Sequence, residues 1–162
     1  MKKLAIGVFI FILFPHNSFT QELKGLKMFL CFIHYSESSE SFKNILPTHK
    51  DIIETITYKI PEFVSAIGKP IVSEEFCSLV ISYNYFQNYE ITDEKIYYGA
   101  IGLKVFRDFD ENRFNTKITV KVFQEEYYIC MVNPSSDMIK SDAFQITNEL
   151  IDKLALEYYK DN

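Results

Sequence analysis

A chain of 162 residues that is 48% hydrophobic and 16% aromatic, with a formal net charge of -5, is a folded, acidic protein and neither a disordered nor a nucleic-acid-binding one. Lysine and arginine are scattered among aspartate and glutamate, so there is no basic patch for phosphates or for anionic lipid head groups. The length suits one domain whose core needs neither disulfides nor a metal.

The first twenty residues have the layout of an export signal. Lys2 and Lys3 precede an apolar run from Leu4 to Phe14, which Pro15 and His16 end. Ser18 and Thr20 place small residues before a cut ahead of Gln21. The run falls well short of the roughly 20 residues that a transmembrane helix needs, so a cleaved signal over 1–20 is predicted in preference to an anchor. The expected remainder is a single domain over 21–162, periplasmic or extracellular, which meets the membrane only through the signal if that is not cleaved. Cys31 lies too far beyond the cut for lipidation, and no Asn-x-Ser/Thr sequon occurs, which favours a bacterial envelope.

Met28 to His34 is a dense apolar run and reads as a strand buried on both faces. Tyr35 to Lys43 is a Ser/Glu-rich loop. From Thr48 onward, Ile52, Ile53, Ile56, Ile60, Phe63, Val64 and Ile67 recur at intervals that predict a helix over 48–67. Thr48 is its expected N-cap, with Asp51 in the first turn, and Pro61 demands a kink or a break. Glu75 to Phe86 reads as a strand and Gln87 to Glu94 as a polar connection. Ile101, Leu103 and Val105 alternate with their neighbours, as do Ile118, Val120 and Val122. With a turn over Asp108 to Arg113 they predict an antiparallel hairpin. Tyr127 to Val132 follows as a further strand, beyond a second turn near Gln124 and Glu125. After a turn at Asn133 to Ser136, Ala143, Ile146, Leu150, Leu154 and Tyr158 share one face of a C-terminal helix, with Asp142 as the expected N-cap. The predicted fold is α+β: an antiparallel sheet of about five strands with two helices packed on one face.

Catalytic patterns are sparse. Asp108, Asp110 and Asn112 copy the opening of a calcium-binding EF-hand loop, but Arg113 stands where glycine is needed and Thr119 where the bidentate glutamate is needed. Cys31, Cys77 and Cys130 sit in apolar runs and read as small buried hydrophobes, with one disulfide plus a free thiol as the alternative. The spacing offers no metal-ligand set, and no cofactor is expected. Cys31 and His34 are three apart on one strand, so they point to opposite faces. The adjacent carboxylates Glu74-Glu75, Asp93-Glu94 and Glu125-Glu126 read as solvated charge.

Tyrosine is the residue type that suggests a surface. Tyr83, Tyr85, Phe86, Tyr89, Tyr97 and Tyr98 lie close together in sequence, and tyrosine suits sites that are dry at one end and wet at the other. The candidate contact residues are Tyr85, Tyr89, Tyr97 and Tyr98. The expectation is an exported, non-catalytic binding or assembly module for an unknown protein or extended ligand of the envelope, with no nucleic-acid partner. The alternative is a small extracytoplasmic hydrolase with a Cys/His or carboxylate site.

Overall fold

The computed structural model describes residues 23–36, 39, 42–69, 75–91, 94–111 and 116–162; the expected export signal lies outside them. Its elements are β1 (Met28–Tyr35), α1 (His49–Lys59), β2 (Val64–Ser65), β3 (Phe76–Ile91), β4 (Glu94–Glu111), β5 (Thr116–Val132) and α2 (Ser136–Asp161). The strands form one sheet in the order β2-β1-β3-β4-β5. β1 runs parallel to both of its neighbours, while β3, β4 and β5 form an antiparallel meander. The fold is α+β, with five strands and two helices as predicted, and the sheet is mixed rather than purely antiparallel.

Alternation along the strands sets the core. Phe29 and Cys31 of β1, Cys77, Leu79, Ile81 and Tyr83 of β3, and Ile101, Leu103 and Val105 of β4 are buried together. They meet Ile52 and Ile56 of α1, and Ala143, Leu150, Ile151, Leu154 and Tyr158 of α2. Both helices therefore lie on one side of the sheet. The Tyr83 hydroxyl lies 2.9 Å from Thr147 Oγ1, a buried polar contact between sheet and helix.

Helix α1 begins where the sequence places it. Thr48 Oγ1 accepts from the Asp51 amide, and Asp51 Oδ2 accepts from the Thr48 amide at 2.8 Å, forming a reciprocal cap. The Thr48 hydroxyl also donates to Asp51 Oδ2 at 2.7 Å, and that bond first, with the one from the Thr48 amide, holds the Asp51 carboxyl below the usual carboxylate range. The helix does not continue to residue 67. It stops at Lys59, because Pro61 cannot donate to a further turn. Phe63 and Val64 therefore leave the predicted helical stripe. Phe63 turns into the core between Phe29 (centroids 4.8 Å) and Tyr158 (5.5 Å), and Val64 opens β2.

Two further boundaries move. Helix α2 starts at Ser136, capped by Ser135, rather than at Asp142. Its first turns carry few apolar residues besides Ile139, which hides them from a periodicity argument. β5 runs unbroken through Gln124 and Glu125, where a turn was expected. Val105 pairs with Phe123 and Phe106 with Lys121, which leaves Val122 as the extra residue of a bulge. The bulge shifts the core-facing positions from even to odd numbers, and that change of phase resembles a strand break. β1 is also not buried on both faces: Phe32 is 51% exposed.

The segment leading into β1 is tied to the end of α2. The Leu23 amide donates to Asp161 Oδ2 (3.1 Å), the Gly25 amide to Asn162 Oδ1 (2.8 Å), and the Tyr158 hydroxyl to the Leu26 carbonyl (2.8 Å).

Thr48→Ala is expected to cost about 1 kcal/mol in urea denaturation at neutral pH. A carboxyl with a lowered pKa in the folded state stabilises above its unfolded pKa and stops doing so as pH falls through the folded value. Asp51 owes its lowered pKa mainly to Thr48, so the gap between wild type and Thr48→Ala should narrow on acidification.

Candidate functional site

The residues that alternate away from the core form a second face of the sheet, and both described helices lie on the opposite side. On β1 this face carries Met28, Leu30, Phe32 and His34. Across the strands, Phe32 lies beside Val80, and Val80 beside Lys104; Leu30 lies beside Ser78, and Ser78 beside Phe106. Half-buried Leu30 and Val80 thus flank the more exposed Phe32, and half-buried Phe106 lies further along the same face. Toward β5 the character changes. Gln124, Glu126, Tyr128 and Cys130 point outward and are exposed.

Tyr98 and Tyr128 meet on this face as a stacked pair, centroids 6.4 Å apart and 20° between planes. They are 39% and 67% exposed. The Tyr128 hydroxyl donates to Glu126 Oε2 at 3.0 Å, and that bond is the main reason its ionisation lies above the usual phenol value. Beside them Gly102 keeps the surface low. A Cβ there would meet Ser82 Oγ at 3.0 Å.

Of the tyrosines singled out from sequence, Tyr98 is on this face. Tyr97 points to the other side, where it is half-buried against the core and edge-on to Phe42 at 5.9 Å. Adjacent strand residues cannot share a face, so Tyr97 and Tyr98 do not act as one patch. Tyr85 and Tyr89 belong to β3, but their side chains lie outside the described residues. Phe32 and Tyr128, which sequence reasoning did not select, complete the surface.

Groups with catalytic potential are dispersed or engaged. The His49 ring bonds the Cys31 carbonyl, not its thiol, at 2.6 Å, and His34 is exposed on the opposite face. Cys31 and Cys77 are buried, and burial pushes the Cys31 thiol up to about 12 and the Cys77 thiol up as well. Cys130 is exposed, contrary to the expectation that all three cysteines are buried, and none of the three is in a disulfide. Glu125 and Glu126 diverge, the first to Lys153 at 3.0 Å and the second to Tyr128. Asp108 accepts the Thr119 hydroxyl at 2.6 Å, while Asn112 lies outside the described residues. Among the described residues no three His, Cys, Asp or Glu side chains converge as a metal site.

A groove of about 430 Å³ between α1 and α2, lined by Asp51, Glu54, Tyr58, Lys59, Phe144 and Asn148 among others, was not legible in sequence. Its charged groups serve the helices. Asp51 caps α1, Glu54 lies 3.7 Å from Lys50, and Lys59 pairs with Asp152. The open sheet face is the stronger candidate because its apolar groups have no such internal role.

Neither a protein-family model nor a curated protein matches the chain. Among solved structures, a Helicobacter pylori protein described as a neuraminyllactose-binding hemagglutinin homolog is similar at 13% identity and a TM-score of 0.48, over 89% of this chain and 88% of that one. A hypothetical protein of Chlamydia trachomatis is similar at 11% identity and a TM-score of 0.44, over 80% and 96%. The rare lipoprotein B of Shewanella oneidensis is similar at 10% identity and a TM-score of 0.29, over 80% and 90%.

The thiols provide a direct check of this placement. In the native protein a thiol-alkylating reagent should add at Cys130 alone, with Cys31 and Cys77 reacting only after unfolding. Intact mass and peptide mapping read the result. Fast native labelling at Cys31 or Cys77 contradicts it. Glu126→Gln should also lower the ionisation of Tyr128, followed by NMR of its ring carbons.

Proposed function

We propose that the protein is a non-catalytic binding or assembly module of the bacterial envelope that holds a protein partner on the open face of its sheet. The observation that carries this reading is the outward placement of Phe32 beside Leu30 and Val80, on the same sheet face as the stacked Tyr98 and Tyr128, with Ser82, Gly102 and Lys104 between them. Exposed apolar and aromatic groups set among polar ones on one open face are what association uses. The envelope part of the reading rests on the signal-like sequence of residues 1–20. Catalysis is disfavoured by the dispersal of the histidines and thiols over separate surroundings, since an activated nucleophile needs its base within hydrogen-bond reach.

Photo-cross-linking in cells tests the surface. A photoreactive phenylalanine analogue replaces Phe32, Tyr98 or Tyr128 in turn, with exposed Tyr58 on the helical side as the comparison. One discrete adduct common to the three open-face positions and missing at Tyr58 is expected. Cross-links confined to Tyr58, or none at the open face, would reject the assignment. In the same cells, Phe32→Asp should reduce the adduct formed at Tyr128 by about tenfold, corresponding to about 1.4 kcal/mol.

A further inference from the structure

Among the described residues three lysines are half-buried: Lys59, Lys104 and Lys153. Burial strips part of the water from an ammonium, and a nearby carboxylate offsets that cost. Lys59 has Asp152, and Lys153 has Glu125 at 3.0 Å. Lys104 has no hydrogen bond, ion pair or ring contact among the described residues. It stands on the open face, between Val80 of β3 and Gln124 of β5, with Phe106 two residues along β4. The Gln124 side chain accepts from Lys121 instead. Two carboxylates of the same face are also engaged. Asp108 accepts the Thr119 hydroxyl at 2.6 Å, and Glu126 accepts the Tyr128 hydroxyl at 3.0 Å. Beyond Val80 lies Phe32, 51% exposed. Phe32 and Lys104 are two strand spacings apart, about 10 Å.

We infer that the protein partner of the open face sets a carboxylate on Lys104 and an apolar side chain on Phe32, the two about 10 Å apart. This rests on the reading of that face as a protein-binding surface and specifies the chemistry of the partner. Phe32, Leu30 and Val80 accept any apolar group that fits, so they give contact area with little selectivity. Lys104 supplies the selectivity. A neutral group seated over it would leave the ammonium dry and unpaired, and a basic one would add like-charge repulsion. Val80 and Phe106 border it with apolar surface. A seated partner therefore excludes water from the pair, and the attraction between the two charges grows as the surroundings become less polar. Before association the Lys104 stem lies along that surface while its head reaches water.

The photoreactive phenylalanine analogue at position 32 serves as the reporter in cells, with Lys104 changed in the same chain. Lys104→Arg keeps the charge and should keep the adduct. Lys104→Met keeps the stem without the charge and should reduce the adduct several-fold. Lys104→Glu opposes the partner's carboxylate and should reduce it by about tenfold or more. The purified variants should unfold at the same midpoint as wild type; if Lys104→Glu does not, Lys104→Met decides. The purified wild-type adduct is then treated with a carbodiimide, which joins an amine to a carboxylate in contact with it. An amide between Lys104 Nζ and an aspartate or glutamate of the partner is expected, read by peptide mapping. Equal adduct from wild type, Lys104→Met and Lys104→Glu overturns the inference and leaves the open-face reading standing. Carbodiimide coupling through other lysines of the chain but not through Lys104 does the same. A lipid adduct in place of a protein one overturns it, and absence of adducts at Phe32, Tyr98 and Tyr128 alike removes both readings.

Discussion

Two helices cover one side of a five-stranded sheet, and most of what distinguishes this molecule follows from that. Period-two alternation divides each long strand between a side that must be dry and a side that the helices do not reach. On the dry side the cover is continuous. The 26 residues of α2 extend for about 39 Å at 1.5 Å per residue, long enough to cross several strands. Phe63 joins the turn after α1 to both β1 and α2, and the Tyr83–Thr147 contact satisfies two hydroxyls that would otherwise be costly to bury. On the side that the two described helices leave open, β1 still carries Met28, Leu30 and Phe32, residues suited to a second covering layer.

The sequence conveyed the fold better than it conveyed the surface, for identifiable reasons. Helix α1 was legible because Thr48 and Asp51 form a local cap and Pro61 a local stop. β2 was not, since two residues carry no period and owe their strand character to the neighbouring β1. The single bulge at Val122 reversed the alternation within β5 and made one strand read as two. The exposure of Phe32 could not be deduced from an all-apolar run such as Met28 to Ile33, because whether such a strand is covered once or twice is decided by elements far along the chain. Tyr98 was found by composition. Its partner Tyr128 sits thirty positions away and becomes adjacent only through the β4–β5 register.

Many of the described polar groups hold elements of the fold together. His49 closes a main-chain carbonyl of β1. Burial keeps the Cys31 and Cys77 thiols protonated, and thiols in that state are poor nucleophiles. Lys153 sits over the Tyr127 ring at 4.8 Å while bonded to Glu125, and so fastens α2 to β5. Charged groups on the helical side thus serve to fix elements together, and the outward side retains the groups that can engage something else.

The bonds from Leu23 and Gly25 to Asp161 and Asn162 also define a mechanical path. Tension arriving through the chain ahead of Leu23 does not fall directly on β1. It meets first the last turn of α2, where these contacts act together with the Tyr158–Leu26 bond. β1 would otherwise be peeled from β3 one hydrogen bond at a time. Tension applied at that end is therefore shared with the longest helix before it reaches the sheet.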